Sequence, residues 1–471
     1  MLRSELQTLE VVRSASLVAG ELRMPGDKSI AHRALILGSL AEDDSMIRGL
    51  PDADDVRATV ACLRNLGVKI TPAQSVSSSR ESSIVSPSPL GGGHGRGYRI
   101  SPAPSGGGSG WGLATPHGVL DCANSGTTLR LLLGLLAGSR ISARLDGDDS
   151  LRRRPMARGI EPLRRMGARI ESRDGRAPLD VVGTSLQGRH HELLVPSAQV
   201  KSAILLAGLA ARGPTTILEP VATRDHTERL LTAMGADLRV SLPRPLAKGR
   251  GGEVTIDLRP SHRPLRGIDL TIPGDFSSAA FWMAAAALRP GWSITIRDVG
   301  LNPTRTGFLQ ILERMGAEVQ VDITSGGIEP TGSVRVVGRS LTAIELGAAD
   351  VAGAIDEIPA LLALATQADG VTTISGAAEL RVKESDRLAA MAEGLRRMGA
   401  AVDERPDGIS IDAPTSLHGT TVDSNGDHRI AMALAVAGLV ASGSTRIEDA
   451  DAVAVSYPEF FAHLREVTDA I

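Results

Sequence analysis

Lys28, Ser29 and Arg33 stand in the stretch Met24-Pro25-Gly26-Asp27-Lys28-Ser29-Ile30-Ala31-His32-Arg33, where a Pro-Gly turn releases the chain into a helix. An ammonium and a hydroxyl in the first turn, with a guanidinium one turn further on the same face, surround the free N–H groups and positive dipole end of that helix. Such a start binds phosphate or carboxylate. Comparable openings recur at Asn124-Ser125-Gly126-Thr127, at Ser197-Ala198-Gln199 with Lys201-Ser202, and at Gly274-Asp275-Phe276-Ser277-Ser278. Two more follow at Asp356-Glu357-Ile358-Pro359 and Asp427-His428-Arg429. Ser, Asn and Asp are ordinary helix caps, so any single opening is also explained as a cap. Caps alone do not account for Lys28, Arg33, Gln199 and Arg429 in the same places, and helix N-termini converging on one cleft are the expectation for the set.

Acid–base chemistry has its candidates in the C-terminal third. Asp356-Glu357 opens a helix, and Arg381-Val382-Lys383-Glu384-Ser385-Asp386-Arg387 offers a lysine, a glutamate and an arginine within about two turns. On one helix, Lys383 and Arg387 would share a face with Glu384 beside them. The bland reading of that run is an exposed, salt-bridged helix. Against it, the run follows a strand at the place in its repeat where GDDSLRRRP and LNPTRTGF follow theirs. Among Arg152, Arg153 and Arg154, the first two suit a solvated face. Arg154, beside Pro155 at a helix start, suits an inward bidentate fork for carboxylate or phosphate.

These residues are carried by a repeated element. Each opening runs into an Ala/Leu-rich helix apolar almost all round, such as SAILLAGLA, SAAFWMAAAAL or RIAMALAVAGL, and therefore buried. A break and a short strand follow, centred near Leu145, Ile217, Ile296, Ile374 and Ile447, most of them about 70 to 80 residues apart. A second, more amphipathic helix ends in L-x-x-M-G-A at 163–168, 231–236, 312–317 and 395–400, with LRNLGV at 63–68 as a variant. Six β-α-β-α copies are the expected architecture. The first strand, in SASLVAGEL, lacks a unit of its own and is expected to return to the C-terminal half.

With 471 residues, 42% of them apolar, the chain can build two sizeable domains. A formal net charge of −3 argues against a general nucleic-acid or membrane-surface binder. Two cysteines, Cys62 and Cys122, give neither a disulfide framework nor a zinc site. The longest apolar run, about twelve residues within 430–441, is too short to span a bilayer, and the N-terminus lacks a signal peptide's apolar core. A cytoplasmic location is the default. Residues 72–116 are rich in Ser, Gly and Pro and read as a surface insertion without packed structure, so deletion of 75–114 is expected to be tolerated. Its glycines do not fit a nucleotide-binding loop.

Taken together, PGDKSIAHRALILGSLA, NSGTTLRLLLGLLAG, GDDSLRRRPM, SAQVKSAILLAGL, RDHTE, LNPTRT, IDEIPALLALA, RVKESDR and GDHRIAMALAVAGL closely resemble the 5-enolpyruvylshikimate-3-phosphate (EPSP) synthase family, in order over nearly the full chain. The resemblance implies an α/β fold of two inside-out barrel domains, three βαβαββ units in each, closing on substrate. One domain would comprise 1–24 plus 273–471 and the other 25–272, with the insertion at about 72–116. It implies transfer of the enolpyruvyl group of phosphoenolpyruvate to the 5-hydroxyl of shikimate 3-phosphate, by a monomer, with no metal or organic cofactor. By the same resemblance, Lys28, Ser29, Arg33, Ser197, Gln199, Arg224, Asp356 and Lys383 bind shikimate 3-phosphate. Lys28, Gly126, Arg154, Gln199, Arg387 and Arg429 hold phosphoenolpyruvate. Asp356 takes the base position, and Glu384 and Lys28 are the proton-donor candidates. On charge alone, the two substrates bring roughly five to six negative charges, a load suited to seven cations and several helix N-termini.

The sister enolpyruvyl transferases that act on UDP-N-acetylglucosamine share fold and donor. They carry a reactive cysteine where this chain has Asp149, and Lys-Asn where it has Lys28-Ser29. A polyanion-binding relic that had lost its chemistry would have no reason to keep both Asp356 and Glu384.

Overall fold

Five of the six openings are side-chain helix caps in detail. Asp27, Ser125, Ser197, Asp275 and Asp427 each accept a backbone N–H of the first turn through the side chain, as in Asp27 Oδ1 with Ile30 N at 3.0 Å. The sixth helix, Ile358–Ala365, starts instead with a proline in its first turn. The helices that follow are buried around nearly their whole circumference, and every residue of Phe276–Ala287 is buried. The structure, a computed structural model, describes residues 9–73, 97–102, 111–241, 253–260 and 263–468.

The L-x-x-M-G-A endings have a common geometry. Each methionine, Met166, Met234, Met315 or Met398, is the C-cap of its helix. The glycine after it takes φ of +105°, +89°, +101° or +98°, a region closed to most side chains. The following Ala N–H then returns to the Leu carbonyl five residues back, as in Ala168 N to Leu163 O at 3.0 Å, which is a Schellman ending. The repeated motif is therefore a helix stop, with the leucine anchored in the core.

The chain divides into two compact units, Met1–Met24 with Gly274–Ile471, and Pro25–Pro273. Each holds three sheets among the described residues. In the common pattern a short edge strand runs parallel to the strand after the opening helix, and two antiparallel strands complete the sheet. Leu120–Asp121, Ser142–Asp146, Arg176–Val182 and Arg169–Arg173 lie in that order. Two edge strands come from distant parts of the chain. Asp269–Thr271 pairs in parallel with Ser45–Arg48, whereas Ala19–Arg23 pairs in parallel with Ser293–Gly300. Leu9–Arg13 closes the last sheet antiparallel to Ser444–Glu448. Both early strands thus pair with strands of the C-terminal half.

One expectation is overturned. Gly97–Ser101, inside the supposed insertion, is an inner strand that joins Ser45–Arg48 to Lys69–Pro72 by antiparallel pairing. Ile100 is fully buried in it, and Leu113 is buried further on. Glycine and serine on both sides hid a strand whose apolar content is only Tyr98 and Ile100. The remainder of the segment, 74–96 and 103–110, lies outside the described residues. Deletion of 75–114 is accordingly expected to abolish cooperative unfolding of the 25–273 unit, because it removes the strand between two others; a circular-dichroism melt checks this.

Beneath the first two openings, buried His32 shares a hydrogen bond with Thr59 Oγ1 at 2.7 Å, and Thr59 with Thr128 Oγ1 at 2.7 Å. Burial lowers the His32 pKa from 6.5 to about 4, against the pull of Asp55. The unfolded chain therefore binds the proton that the native state refuses. Stability on the order of 3 kcal/mol should be present above pH 6.5 and be lost as pH falls toward about 4. Urea unfolding from pH 7 to pH 5 should show this slope, and His32→Gln should flatten it.

Candidate functional site

In the Pro25–Pro273 unit, Lys28 and Ser29 are the first two residues of the Lys28–Gly38 helix. Lys28 Nζ lies 2.9 Å from Asp55 Oδ2. Arg33 donates from Nε to Thr227 Oγ1 at 2.8 Å, from Nη2 to Ser202 Oγ at 3.0 Å and from Nη1 to Ser29 O at 2.8 Å. Much of its guanidinium therefore ties three helices together. Gln199 accepts from Arg130 Nη1 at 2.7 Å and donates to Thr127 Oγ1 at 2.9 Å, while Ser197 caps the Ala198–Gly208 helix. Arg224 sits in the loop between the Thr215–Glu219 strand and the His226–Ala233 helix.

Arg154 is buried and donates from Nη2 to Asn124 Oδ1. It does not start a helix. It caps the end of Asp149–Arg153, and the next helix begins at Ala157. Gly126 opens the Gly126–Gly138 helix, and a Cβ there would stand 2.7 Å from Arg130 Nη1 and 3.1 Å from Arg154 Nη1. Two guanidinium groups thus stand close to a helix N-terminus, an arrangement that suits an anion.

The other unit holds the acid–base candidates. Asp356 lies in the turn before Ile358–Ala365. Arg387 is fully buried and reaches three carboxylates: Asp427 Oδ2 from Nε at 2.8 Å, Glu384 Oε2 from Nη2 at 2.6 Å and Asp356 Oδ1 from Nη1 at 3.2 Å. Burial alone would lower its pKa, but Asp427, Glu384 and Asp356 outweigh burial and hold it above the ordinary value. Arg429 donates from Nη1 to the Asp356 carbonyl at 2.8 Å, and its Nε is 3.8 Å from Asp356 Oδ1. One guanidinium thus fixes Asp356 and Glu384 relative to each other, and a second holds the Asp356 backbone.

Lys383 departs from the sequence reading. A short 3-10 helix, Ala378–Val382, ends at Lys383, and the α-helix begins only at Arg387, capped by Asp386. Lys383 and Arg387 therefore do not share a helical face. Lys383 Nζ is 3.9 Å from Glu379 Oε1, with the side chain 26% exposed. Burial moves its pKa down, opposed by Asp356, Glu379 and Glu384. A lysine so placed loses its proton more readily than a surface lysine.

Three partners escaped the sequence. Asp55 is one of several acids in DADDVRA, yet it falls with Thr59 and Cys62 on the buried stripe of its helix, a spacing that marks it. Arg130 is the one charge inside an otherwise apolar helix, one turn from Gly126. Arg305, of the LNPTRT run, donates to Ser277 Oγ at 2.9 Å, and Ser277 donates to buried Glu357 beside Asp356. Among the described residues no helix is long and apolar enough to cross a membrane.

A sequence profile described as EPSP synthase (3-phosphoshikimate 1-carboxyvinyltransferase) matches residues 12–88 and 106–464. The chain belongs to the EPSP synthase family. It is 45% identical over 463 residues to the 3-phosphoshikimate 1-carboxyvinyltransferase of Parasynechococcus marenigrum, covering 96% of each chain. To that of Acidithiobacillus ferrooxidans it is 46% identical over 454 residues, again with 96% of each covered. Its fold is similar to a solved EPSP synthase structure from Acinetobacter baumannii, with a TM-score of 0.78, 37% identity and 98% of each chain covered. The α/β class read from the repeats is the class of that family.

Proposed function

We propose that the chain is a 3-phosphoshikimate 1-carboxyvinyltransferase of the shikimate pathway, which leads through chorismate to the aromatic amino acids. It transfers the enolpyruvyl group of phosphoenolpyruvate to the 5-hydroxyl of shikimate 3-phosphate and releases phosphate. The observation that carries this is Arg387 gripping Asp356 and Glu384 at once, in a chain of this family. That grip sets a proton acceptor and a proton donor at a fixed separation, which addition across an enol double bond needs.

Asp356 takes the proton of the 5-hydroxyl as the oxygen attacks C2 of phosphoenolpyruvate, and Glu384 or Lys28 gives a proton to the methylene carbon. The adduct then loses phosphate from C2 and a proton from the new methyl group, restoring the enol. Lys28, Ser29, Arg33, Ser197, Gln199, Arg224 and Lys383 serve shikimate 3-phosphate. Lys28, Gly126, Arg154, Gln199, Arg387 and Arg429 serve phosphoenolpyruvate. We read the chain as a cytoplasmic monomer that needs no metal or organic cofactor, and sedimentation velocity tests the monomer. The decisive assay is phosphate release from phosphoenolpyruvate: shikimate 3-phosphate should support it and UDP-N-acetylglucosamine should not. The reverse pattern would replace this reading with that of the sister enzymes.

A further inference from the structure

Apart from the groups assigned above, the Pro25–Pro273 unit buries an ammonium with two carboxylates. Lys201, Glu219 and Glu228 are all buried, with Lys201 Nζ 2.8 Å from Glu219 Oε2 and 2.7 Å from Glu228 Oε1. Burial opposes the charge on Lys201, but Glu228 and Glu219 outweigh it and hold its pKa above the ordinary value. A buried ionic cluster is weak support for stability, since apolar groups of the same volume often serve as well. Its geometry shows what else it does.

Lys201 and Glu219 also meet on one residue of the next loop. Lys201 Nζ donates to Thr223 O at 3.3 Å. Glu219 accepts from Thr223 Oγ1 at 2.6 Å and from Thr223 N at 3.4 Å. Every polar atom of Thr223 is thereby engaged, and Arg224 is the next residue. On the other side, Lys201 and Glu228 are chain neighbours of Ser202 and Thr227, whose hydroxyls lie 2.7 Å apart and both receive Arg33.

We propose that Lys201, Glu219 and Glu228 form a positioning cluster that fixes Thr223, and through it the place of Arg224, so that it sets the affinity for shikimate 3-phosphate. This rests on the assignment of Arg224 made under the proposed function. The cluster need not touch substrate.

The test uses the full-length chain, with shikimate 3-phosphate affinity from calorimetry and steady-state kinetics alongside. Thr223→Val keeps the ionic cluster and the backbone contacts but removes the hydroxyl held by Glu219. It should weaken shikimate 3-phosphate binding on the order of tenfold, with turnover and the Michaelis constant for phosphoenolpyruvate within about threefold, and lower the melting temperature modestly because buried Glu219 Oε1 loses its donor. Thr223→Ser should restore the affinity. Lys201→Met should show the same split with a lower melting temperature. Arg224→Ala should weaken binding in the parent and much less in Thr223→Val, since the two act as one unit.

Unchanged affinity in Thr223→Val, losses that simply multiply, or no effect of Arg224→Ala would each overturn the proposal. A parent chain that binds shikimate 3-phosphate but releases no phosphate would sink the proposed reaction alone. The comparison of binding constants would still decide the role of the cluster.

Discussion

Asp356→Asn is expected to lower turnover by a factor on the order of 10² to 10⁴ while leaving shikimate 3-phosphate affinity within about tenfold. An amide fills the same volume and still hydrogen-bonds a hydroxyl, but it does not accept the proton. The neighbourhood should survive the change, because Arg429 keeps its bond to the Asp356 carbonyl while losing only the longer ion pair to the carboxylate, and Arg387 keeps Asp427 and Glu384 as partners. Arg154→Ala should act in the opposite sense, mostly raising the Michaelis constant for phosphoenolpyruvate, since its guanidinium is a charged clamp over the Gly126 helix N-terminus. Near-normal turnover in Asp356→Asn would remove Asp356 from the mechanism and leave Glu384 or Lys28 with both proton transfers.

Arg387→Met should cost the ligand-free protein about 3 to 5 kcal/mol, the range for removing one partner of a buried ion pair. Asp356, Glu384 and Asp427 would then crowd together with their shared cation gone. Repulsion among three like charges held together would favour uptake of a proton by the folded cluster as pH falls. The deficit should therefore be largest near pH 7 and shrink toward pH 5, which denaturant titrations at both values would show. A deficit independent of pH would mean that lost packing, rather than uncompensated charge, is the cause.

What was legible in the sequence follows from how local each signal is. A cap, a buried helix and a Schellman ending are written within six to twelve residues, so openings such as Asp27-Lys28-Ser29 and endings such as Leu163–Ala168 were readable one by one. Gly97–Ser101 was not, because its strand character comes from the partners on either side rather than from its own five residues. Asp55 looked like any acid in an acidic turn until the burial of Thr59 and Cys62 showed its face. The run through Lys383 misled because a 3-10 turn and an α-helix have nearly the same composition. The two differ here in where Asp386 caps, accepting from Ala389 N so that the α-helix starts only at Arg387.

The edge strand Ala19–Arg23 has a bearing on the order in which the chain acquires structure. Its partner is Ser293–Gly300, and the strand before it, Leu9–Arg13, waits for Ser444–Glu448. On a ribosome, the segment from Pro25 to Pro273 has every one of its own strand partners once Pro273 has emerged. It can fold while the strands ahead of it remain without partners. These two strands are thus among the last to be seated, and their unpaired β edges must be kept from pairing elsewhere while the residues up to their partners are made. Contacts spanning some four hundred residues also place the closure of the second unit among slow, non-local folding events. Chaperone demand should therefore begin early and persist until Ser444–Glu448 has been made.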